Sequence, residues 1–201
     1  MPLLQLIDLA FDYQERPLLH HINFTLQRGD LLHIHGANGA GKTTLLKILA
    51  GLYRPSLGLV KYQDQEIYND LAAYQRELCV IGHQTGISPY LTIKENCLFD
   101  SHFSKGFNID ELVSIFNLGR YLNTACGLLS AGQRRQVGLL RLWMSQATLW
   151  LLDEPFVALD EQALTVLMDK IRGHREEGGA VILTSHQPLA LEKGSYKDYF
   201  L

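Results

Sequence analysis

The sequence predicts an α/β fold with a mainly parallel core sheet, an N-terminal antiparallel β region and an inserted α-helical subdomain. Strand-like and helix-like segments alternate towards both ends of the chain, as in parallel sheets covered by helices. Two strand-like segments near the start flank the turn 14–17, which is typical of an antiparallel pair. The middle of the chain is helical in pattern. At 201 residues, we expect one domain, with a core at 1–85 and 148–201 and a helical subdomain at about 86–147.

Turn and capping residues mark the elements in order. The pattern Thr92-Ile93-Lys94-Glu95 fits a capping box, Asp110 is a candidate helix start, and Ser130-Ala131-Gly132-Gln133 fits a second capping box. The predicted elements are strands at 3–13, 18–26 and 31–35, a helix at about 43–50, strands at 59–63 and 78–82, a helix from 92, a helix from 110 to about 119, a long helix from 130 to about 146, a strand at 148–152, a helix at 161–172, a strand at 180–184, a short helix at 188–192 and a strand at 196–201.

Composition excludes several classes of protein. Hydrophobic residues make up 47% and charged residues 19%, which excludes general disorder. Acidic residues outnumber basic ones by 21 to 18, so we expect no nucleic-acid partner. No apolar run approaches the ~20 residues of a membrane-spanning helix, and the start lacks a signal-peptide pattern. Three widely spaced cysteines are expected to be buried thiols in a cytoplasmic protein.

The segment Gly36-Ala37-Asn38-Gly39-Ala40-Gly41-Lys42-Thr43 matches the phosphate-binding pattern GxxxxGK[ST] in full. It lies between a predicted strand and a predicted helix, where backbone N–H groups and the helix N-terminus can face a phosphate. Lys42 is expected to reach the β- and γ-phosphates of ATP, and the Thr43 hydroxyl to bind Mg²⁺. The expected ATP contacts are Gly36, Asn38, Gly39, Ala40, Gly41, Lys42, Thr43 and Thr44.

Two carboxylates, Asp153 and Glu154, follow the apolar strand Leu149-Trp150-Leu151-Leu152. A buried strand that ends in an acid suits a Mg²⁺ site beside a phosphate-binding loop, so Asp153 is the candidate metal partner. Glu154 is the candidate base that orients or deprotonates the attacking water. Taken alone, the pair also fits an ordinary strand end with solvated acids.

The segment Leu129-Ser130-Ala131-Gly132-Gln133 ends 20 residues before Asp153. It resembles the LSGGQ signature of the ATP-binding cassette (ABC) family, with Ala131 in place of the first glycine. Ser130 is a good helix N-cap, and the small residues after it leave the helix start open to an anion. We therefore expect Ser130, Gly132 and Gln133 to bind phosphate.

Further residues resemble ABC landmarks in sequence order, so the resemblance covers nearly the whole chain. It implies that Gln84 contacts Mg²⁺ and takes part in catalysis, and that Asp160 lies in the D-loop and is one of the ATP-binding residues. It also implies that His186 contacts the γ-phosphate and takes part in catalysis. Tyr13 matches the aromatic residue that stacks on adenine. The family pairs head to tail, so the resemblance also implies an ATP-bound homodimer in which each signature completes the partner's nucleotide site.

Segments outside the shared motifs resemble the cytochrome c maturation branch of this family. They are Ile81-Gly82-His83-Gln84-Thr85-Gly86-Ile87, Leu91-Thr92 with Glu95-Asn96, Arg141-Leu142-Trp143, Ala147-Thr148-Leu149-Trp150 and His186-Gln187-Pro188-Leu189. The resemblance implies a peripheral ATPase on the cytoplasmic side of the bacterial inner membrane. Its implied partners are the integral membrane subunits CcmB, CcmC and CcmD and, indirectly, the haem chaperone CcmE, with membrane association through partners only.

The helical insert, about residues 86–125, is the expected contact with the membrane subunit, because ABC cassettes bind their partners through it. Tyr90, Leu91 and Phe99 are candidate contacts, and each equally fits the core. The histidines at 20, 21, 33 and 35 suit structural or surface positions better than haem ligation.

Three other functions fit the core motifs. They are the ATPase of a lipoprotein- or drug-type ABC exporter, a non-transport ABC protein, and a binding module with an inactive ATPase. The lack of a second cassette or coiled-coil insertion disfavours the second, and intact Lys42, Asp153, Glu154 and His186 disfavour the third.

Overall fold

The computed structural model describes residues 1–13, 16–100, 107–186 and 194–201, with the Arg16 side chain left out. It confirms the predicted combination of an antiparallel β region near the N-terminus and a parallel sheet. The strands are Leu4–Tyr13 (β1), Arg16–Leu26 (β2), Leu31–His35 (β3), Leu57–Tyr62 (β4), Gln65–Glu66 (β5), Leu78–Ile81 (β6), Leu149–Asp153 (β7), Ala180–Thr184 (β8) and Lys197–Phe200 (β9).

The described strands form two sheets. The antiparallel sheet has the order β2-β1-β4-β5, and the parallel sheet has the order β6-β7-β8-β3-β9. Every residue of β7 and β8 is buried, as expected for strands of a parallel sheet that is covered on both faces. Strand β8 pairs with β7 on one side and with β3 on the other.

This strand order gathers the predicted chemistry at one edge of the parallel sheet. The carboxyl end of β3 leads into Gly36, β7 ends in Asp153, and β8 leads into Ser185 and His186. Ligands of open α/β sheets bind at the carboxyl ends of the strands. The fold therefore positions the phosphate-binding loop, the carboxylates and the histidine for a common site.

The helices are Lys42–Leu49 (α1), Leu71–Arg76 (α2), Ile93–Asp100 (α3), Ile109–Ser114 (α4), Ala131–Leu139 (α5), Arg141–Met144 (α6) and Glu161–Glu176 (α7). Strand β5 and helix α2 were not predicted. The prediction of one long helix from 130 to about 146 is wrong, since Leu140 has a 3₁₀-like conformation (φ −55°, ψ −23°) that separates α5 from α6. The predicted helix at 188–192 and the turn residues 14 and 15 lie outside the described residues.

Local capping explains where two of these helices begin. Thr92 and Glu95 form the predicted capping box, since the Glu95 N–H donates to Thr92 Oγ1 and the Thr92 N–H to Glu95 Oε2. Asp110 is not the cap of α4. Asn108 Oδ1 accepts the Asp110 N–H at 3.0 Å, and α4 ends at Ser114, short of the predicted end near Gly119.

The chain divides into two compact units. The first contains Met1–Val80, Ala147–Glu154 and His174–Leu201, and the second contains Ile81–Gln146 and Pro155–Gly173. The predicted boundaries, 1–85 with 148–201 for the core and about 86–147 for the helical subdomain, stay a prediction. None of the helices in the described residues has the length and apolarity needed to cross a bilayer.

All three cysteines are buried, as the sequence predicts. Burial, reinforced by Asp100, raises the pKa of the Cys97 thiol to about 12. Burial also raises the pKa of the Cys126 thiol. Because the thiolate is the reactive form, neither residue is suited to nucleophilic chemistry near neutral pH.

Candidate nucleotide site

The phosphate-binding loop is held by its own lysine. The Lys42 side chain is 8% exposed, and its Nζ donates to the Gly36 carbonyl at 2.6 Å and to the Ala37 carbonyl at 3.2 Å. Helix α1 begins at Lys42, so the first N–H groups of the helix, which have no partner within it, lie at the end of the same loop. The loop thus combines a buried cation with the positive end of a helix, which suits an anionic ligand.

Both the backbone conformation and the packing at position 41 require glycine. Its φ of +98° is a left-handed conformation that side chains rarely adopt, and it is the N-cap of α1. A Cβ at this position would also lie 2.7 Å from Leu19 Cδ2. Residue 41 must therefore be glycine for the chain to turn into the helix against β2.

Asp153 lies between two threonine hydroxyls. Its side chain is buried, Oδ2 accepts the Thr43 hydroxyl at 2.7 Å, and Oδ1 accepts the Thr184 hydroxyl at 2.7 Å. The first contact brings together Thr43 and Asp153, two of the three residues that were assigned to the metal from the sequence. The second involves Thr184, which sequence reasoning missed.

Glu154 has a strained backbone and faces His186. Its φ of +49° is unusual for a residue with a side chain, and such strain is found at functional sites. Its Oε2 accepts the His186 backbone N–H at 3.2 Å, and Oε1 lies 3.4 Å from His186 Nε2. The His186 ring is half exposed, whereas the Glu154 carboxylate is mostly buried. Two of the three residues predicted to be catalytic, Glu154 and His186, are thus neighbours.

Thr184 joins the two acids. Its hydroxyl donates to Asp153 Oδ1 and also accepts the Glu154 backbone N–H at 3.0 Å, and the residue is fully buried. Its position as the last residue of a buried strand, next to Ser185-His186, was the available signal in the sequence. The hydroxyl fixes both the carboxylate of one acid and the backbone of the other.

We predict that Thr184→Val destabilises the protein by about 1–3 kcal/mol, because valine fills the space but cannot make the two buried hydrogen bonds of the hydroxyl, one to Asp153 Oδ1 and one from the Glu154 N–H. Urea denaturation of the two proteins measures this difference. Thr184→Ser, which keeps the hydroxyl, is the matched control and should stay close to wild type. Equal stability of wild type and Thr184→Val would contradict the linking role.

The second unit contains the signature segment. Ser130 Oγ accepts the Gln133 N–H at 3.1 Å, and Gln133 Oε1 accepts the Ser130 N–H at 2.9 Å, so the predicted capping box at the start of α5 is present. The Ala131 side chain is exposed, which explains why a methyl group is tolerated at this position. A Cβ on Gly132, in contrast, would lie 2.7 Å from the Ala158 carbonyl oxygen.

Asp160 is near the signature within the second unit. Its Oδ1 accepts the Ala163 N–H at 2.8 Å and caps α7. Ser130, Gly132, Gln133, Ala158 and Asp160 line one cavity of about 500 Å³. The structure thus brings these signature and D-loop residues to a common surface, and their contact with phosphate stays a prediction.

Gln84 is exposed, and the loop around it is held by two arginines that the sequence analysis did not assign. Arg135 Nη1 donates to the Gly82 carbonyl at 2.9 Å, and its Nε donates to the Pro155 carbonyl at 3.3 Å. Arg141 donates to the Thr85 carbonyl at 3.1 Å and to the Gly86 carbonyl at 3.0 Å. Nothing local in the sequence signals the contacts of the two arginines with the loop at 82–86, since these partners are more than fifty residues apart.

We predict that Arg141→Lys lowers the rate of ATP hydrolysis by about 10- to 100-fold. Lysine lacks the planar guanidinium group that bonds Asp100 through Nε while its two Nη atoms donate to the two carbonyls, and a misplacement of about 1 Å is worth that much. ATP affinity should change little. Arg172→Lys, at an exposed arginine of α7 paired with Asp169, is the control. An unchanged rate of ATP hydrolysis in Arg141→Lys would show that the hydrogen bonds from Arg141 to the loop around Gln84 are not needed for activity.

Tyr13 is the last residue of β1 and is 52% exposed. An exposed ring is compatible with stacking on a base, and its role stays a prediction. Of the predicted site residues, the first unit contains Tyr13, the loop from Gly36 to Thr44, Asp153, Glu154 and His186, and the second unit contains Gln84, Ser130, Gly132, Gln133 and Asp160.

Comparison with known proteins agrees with this geometry. The sequence model of the ABC transporter family matches residues 19–157. The cytochrome c biogenesis ATP-binding export protein CcmA of Legionella pneumophila (strain Lens) is 56% identical over 200 residues, 99% of this chain and 100% of the relative. CcmA of Escherichia coli (strain K12) is 42% identical over 189 residues, 94% of this chain and 91% of the relative.

A solved structure of an ATP-binding subunit of an ABC transporter superposes with a TM-score of 0.82 at 25% identity. The superposition covers 92% of this chain and 79% of that one.

Proposed function

This chain belongs to the ABC transporter family, as an ATP-hydrolysing subunit of the CcmA type, and from that premise we propose that it drives a haem export complex in cytochrome c maturation. The step we assign to it is the ATP-dependent release of the haem-loaded chaperone CcmE. The partners we propose are the membrane subunits CcmB, CcmC and CcmD. The similarity to CcmA along nearly the full length of the chain is the observation that favours this function over that of a lipoprotein- or drug-type exporter.

The residues of the first unit suit a Mg²⁺ ion bound with ATP. Mg²⁺ takes oxygen ligands, and Thr43 Oγ1 and Asp153 Oδ2 are adjacent oxygen donors at the loop that would hold the phosphates. We propose that Thr43 and Asp153 hold this ion, with Gln84 as a further contact. When bound, Mg²⁺ neutralises charge on the β- and γ-phosphates.

The protein groups divide the remaining work. Lys42 and the N–H groups at the start of α1 bind the β- and γ-phosphates. Glu154 accepts a proton from the attacking water, and its contact with the His186 N–H holds the carboxylate in place. His186, half exposed beside Glu154, contacts the γ-phosphate. The site is completed by a second copy, whose exposed Ser130 and neighbouring Gly132 would face the nucleotide in an ATP-bound homodimer.

A gene replacement tests the proposed pathway. In a bacterium that matures its c-type cytochromes with CcmA, this chain should restore haem-stained c-type cytochromes when the resident gene is deleted. The Glu154→Gln variant, expressed at the same level, should not. Normal c-type cytochromes in the deletion strain without this chain, or no rescue by the folded wild-type chain, would refute the proposed pathway.

The second unit also offers a surface for the membrane subunit. Tyr90 is 91% exposed, Phe99 is 72% exposed and Leu128 is 82% exposed. Large exposed apolar side chains in one segment are typical of interaction sites. Tyr90 and Phe99 lie in the helical insert and support the proposal that it binds the membrane partner, whereas Leu91 is partly buried and Leu128 follows the insert.

We predict that Tyr90→Glu/Phe99→Glu abolishes co-purification with the membrane subunit from detergent-solubilised membranes, because a charge removes the apolar contact. ATP binding should be unchanged. Leu57→Glu is the matched control, since Leu57 is also exposed (69%) but lies in the first unit. Intact complexes with the double variant would place the contact elsewhere.

A further inference from the structure

Two histidines and an aspartate lie together on neighbouring strands of the first unit. His33 and His35 are two residues apart on β3, so their side chains are on the same face of the sheet. Asp198 lies on the neighbouring strand β9, directly opposite His33. Asp198 Oδ1 is 2.6 Å from His35 Nε2 and 3.8 Å from His33 Nδ1. The three ligand atoms all lie within 4.8 Å of one another. The nucleotide chemistry described above uses none of these residues.

The tautomer of His33 follows from its contacts. His33 is 1% exposed, and its Nε2 lies 3.2 Å from the Ser185 carbonyl oxygen, which can only accept a hydrogen bond. Nε2 therefore carries the proton and Nδ1 carries a lone pair. Within the part of the chain that the structure describes, this buried Nδ1 has no hydrogen-bond partner. Burial lowers the pKa of His33, which favours the neutral form that binds metals.

We propose that His33, His35 and Asp198 form a binding site for a divalent first-row transition metal ion, and that Zn²⁺ is the ion it takes. Two imidazole nitrogens and one carboxylate are a common zinc ligand set that leaves a fourth position open. Ligand atoms around a tetrahedral Zn²⁺ are about 3.3 Å apart, and the distances from Asp198 Oδ1 to the two histidine nitrogens, 2.6 and 3.8 Å, lie on either side of that value. This inference does not depend on the proposed transport function.

The surroundings resemble those of a metal site. A ligating histidine usually donates its other N–H to a carbonyl or carboxylate, as His33 does to Ser185. The His35 ring stacks on Phe200 with 4.6 Å between ring centroids, which fixes its orientation. The ligand set also differs from the all-oxygen pair at Thr43 and Asp153, so the two sites select different ions.

The location links the site to the nucleotide site. His35 directly precedes Gly36 of the phosphate-binding loop, and Ser185 directly precedes His186. A bound ion would tie β3 to β9 and hold the His33 ring on the Ser185 carbonyl. We therefore expect the ion to stabilise the folded protein independently of nucleotide.

Spectroscopy with Co²⁺ as a stand-in for Zn²⁺ tests the proposal on the metal-free full chain without ATP or Mg²⁺. The wild type should bind one equivalent of Co²⁺ and develop the visible absorption of four-coordinate Co²⁺. Addition of Zn²⁺ should remove this absorption, and Zn²⁺ should raise the melting temperature of the protein. Asp198→Asn and His35→Gln should each bind Zn²⁺ at least about 100-fold more weakly, since changes even behind the ligands cost 10- to 100-fold. His21→Gln, which removes an exposed His–Asp pair of equal length, 2.6 Å, should bind like wild type.

Three results would overturn the proposal. They are no uptake of Co²⁺ or Zn²⁺ by the wild type at millimolar concentrations, equal affinity in wild type and Asp198→Asn, and a near-ultraviolet thiolate-to-cobalt band that assigns the metal to cysteines. Asp198 is exposed, so its variant should fold, and ATP-induced stabilisation in the absence of Zn²⁺ verifies this. If Asp198→Asn does not fold, the Zn²⁺ affinity of His35→Gln tests the proposal, and an affinity equal to that of the wild type would overturn it.

Discussion

Glu154→Gln should lower ATP hydrolysis by roughly 10²–10⁴-fold while leaving ATP affinity near the wild-type value, since a positioned general base is worth that much. The amide oxygen can still accept the His186 N–H, and Asp153 with its two threonine hydroxyls is untouched. The backbone strain at residue 154 is the same for glutamate and glutamine. The loss should therefore be chemical, and steady-state phosphate release together with equilibrium ATP binding measures both quantities. Glu177→Gln, at an exposed glutamate, should have full activity.

The same variant tests the proposed dimer. With the carboxylate neutralised, repulsion with the γ-phosphate decreases and ATP persists, so a closed ATP-bound dimer should accumulate at high protein concentration. Light scattering with and without ATP detects it, and adding Ser130→Arg should block it. Full hydrolysis by Glu154→Gln would remove the residue from catalysis. A monomer at every concentration would leave the base assignment intact and remove the head-to-tail pairing.

Lys42→Ala should abolish most of the thermal stabilisation by Mg-ATP. A ligand at one hundred times its Kd stabilises the native state by about 2.7 kcal/mol, which is roughly 5–11 °C in melting temperature for a chain of this size. The variant loses the buried ammonium group that would pair with the β- and γ-phosphates.

Melting curves at several ATP concentrations, each compared with the same protein without ATP, measure this effect. This comparison separates the loss of ligand binding from the loss of the two hydrogen bonds that Lys42 makes to its own loop. Lys47→Ala, on the same helix, should keep the full shift. An equal ATP shift in wild type and Lys42→Ala would show that the loop does not bind the nucleotide through this lysine.

The sequence predicted the parts of the site that are encoded locally. The loop from Gly36 to Thr43, the acids after β7 and the capping box at Ser130 each depend on a few consecutive residues with a known conformation. Thr43 and Asp153 were each assigned to Mg²⁺ from the sequence, and the parallel sheet brings them together because its strands have their carboxyl ends at one edge.

The contacts between residues far apart in the chain could not be predicted from the sequence. The hydroxyl of Thr184 reaches both acids only because of the register between β7 and β8. Arg135 and Arg141 support the Gln84 loop from more than fifty residues away. The break at Leu140 interrupts a segment whose local pattern is helical throughout. The short helix α2, in contrast, begins at a local cap that the sequence analysis missed, since Asp70 Oδ1 accepts the Ala73 N–H.

The difference between positions 131 and 132 has a consequence for how proteins of this type are recognised. The side chain at 131 is exposed, whereas any side chain at 132 would collide with the Ala158 carbonyl. A motif definition that demands glycine at the first of these positions would overlook functional cassettes such as this one. A definition that demands glycine only at position 132 would match the steric requirement there. It would separate neutral variation in the motif from changes that inactivate the protein.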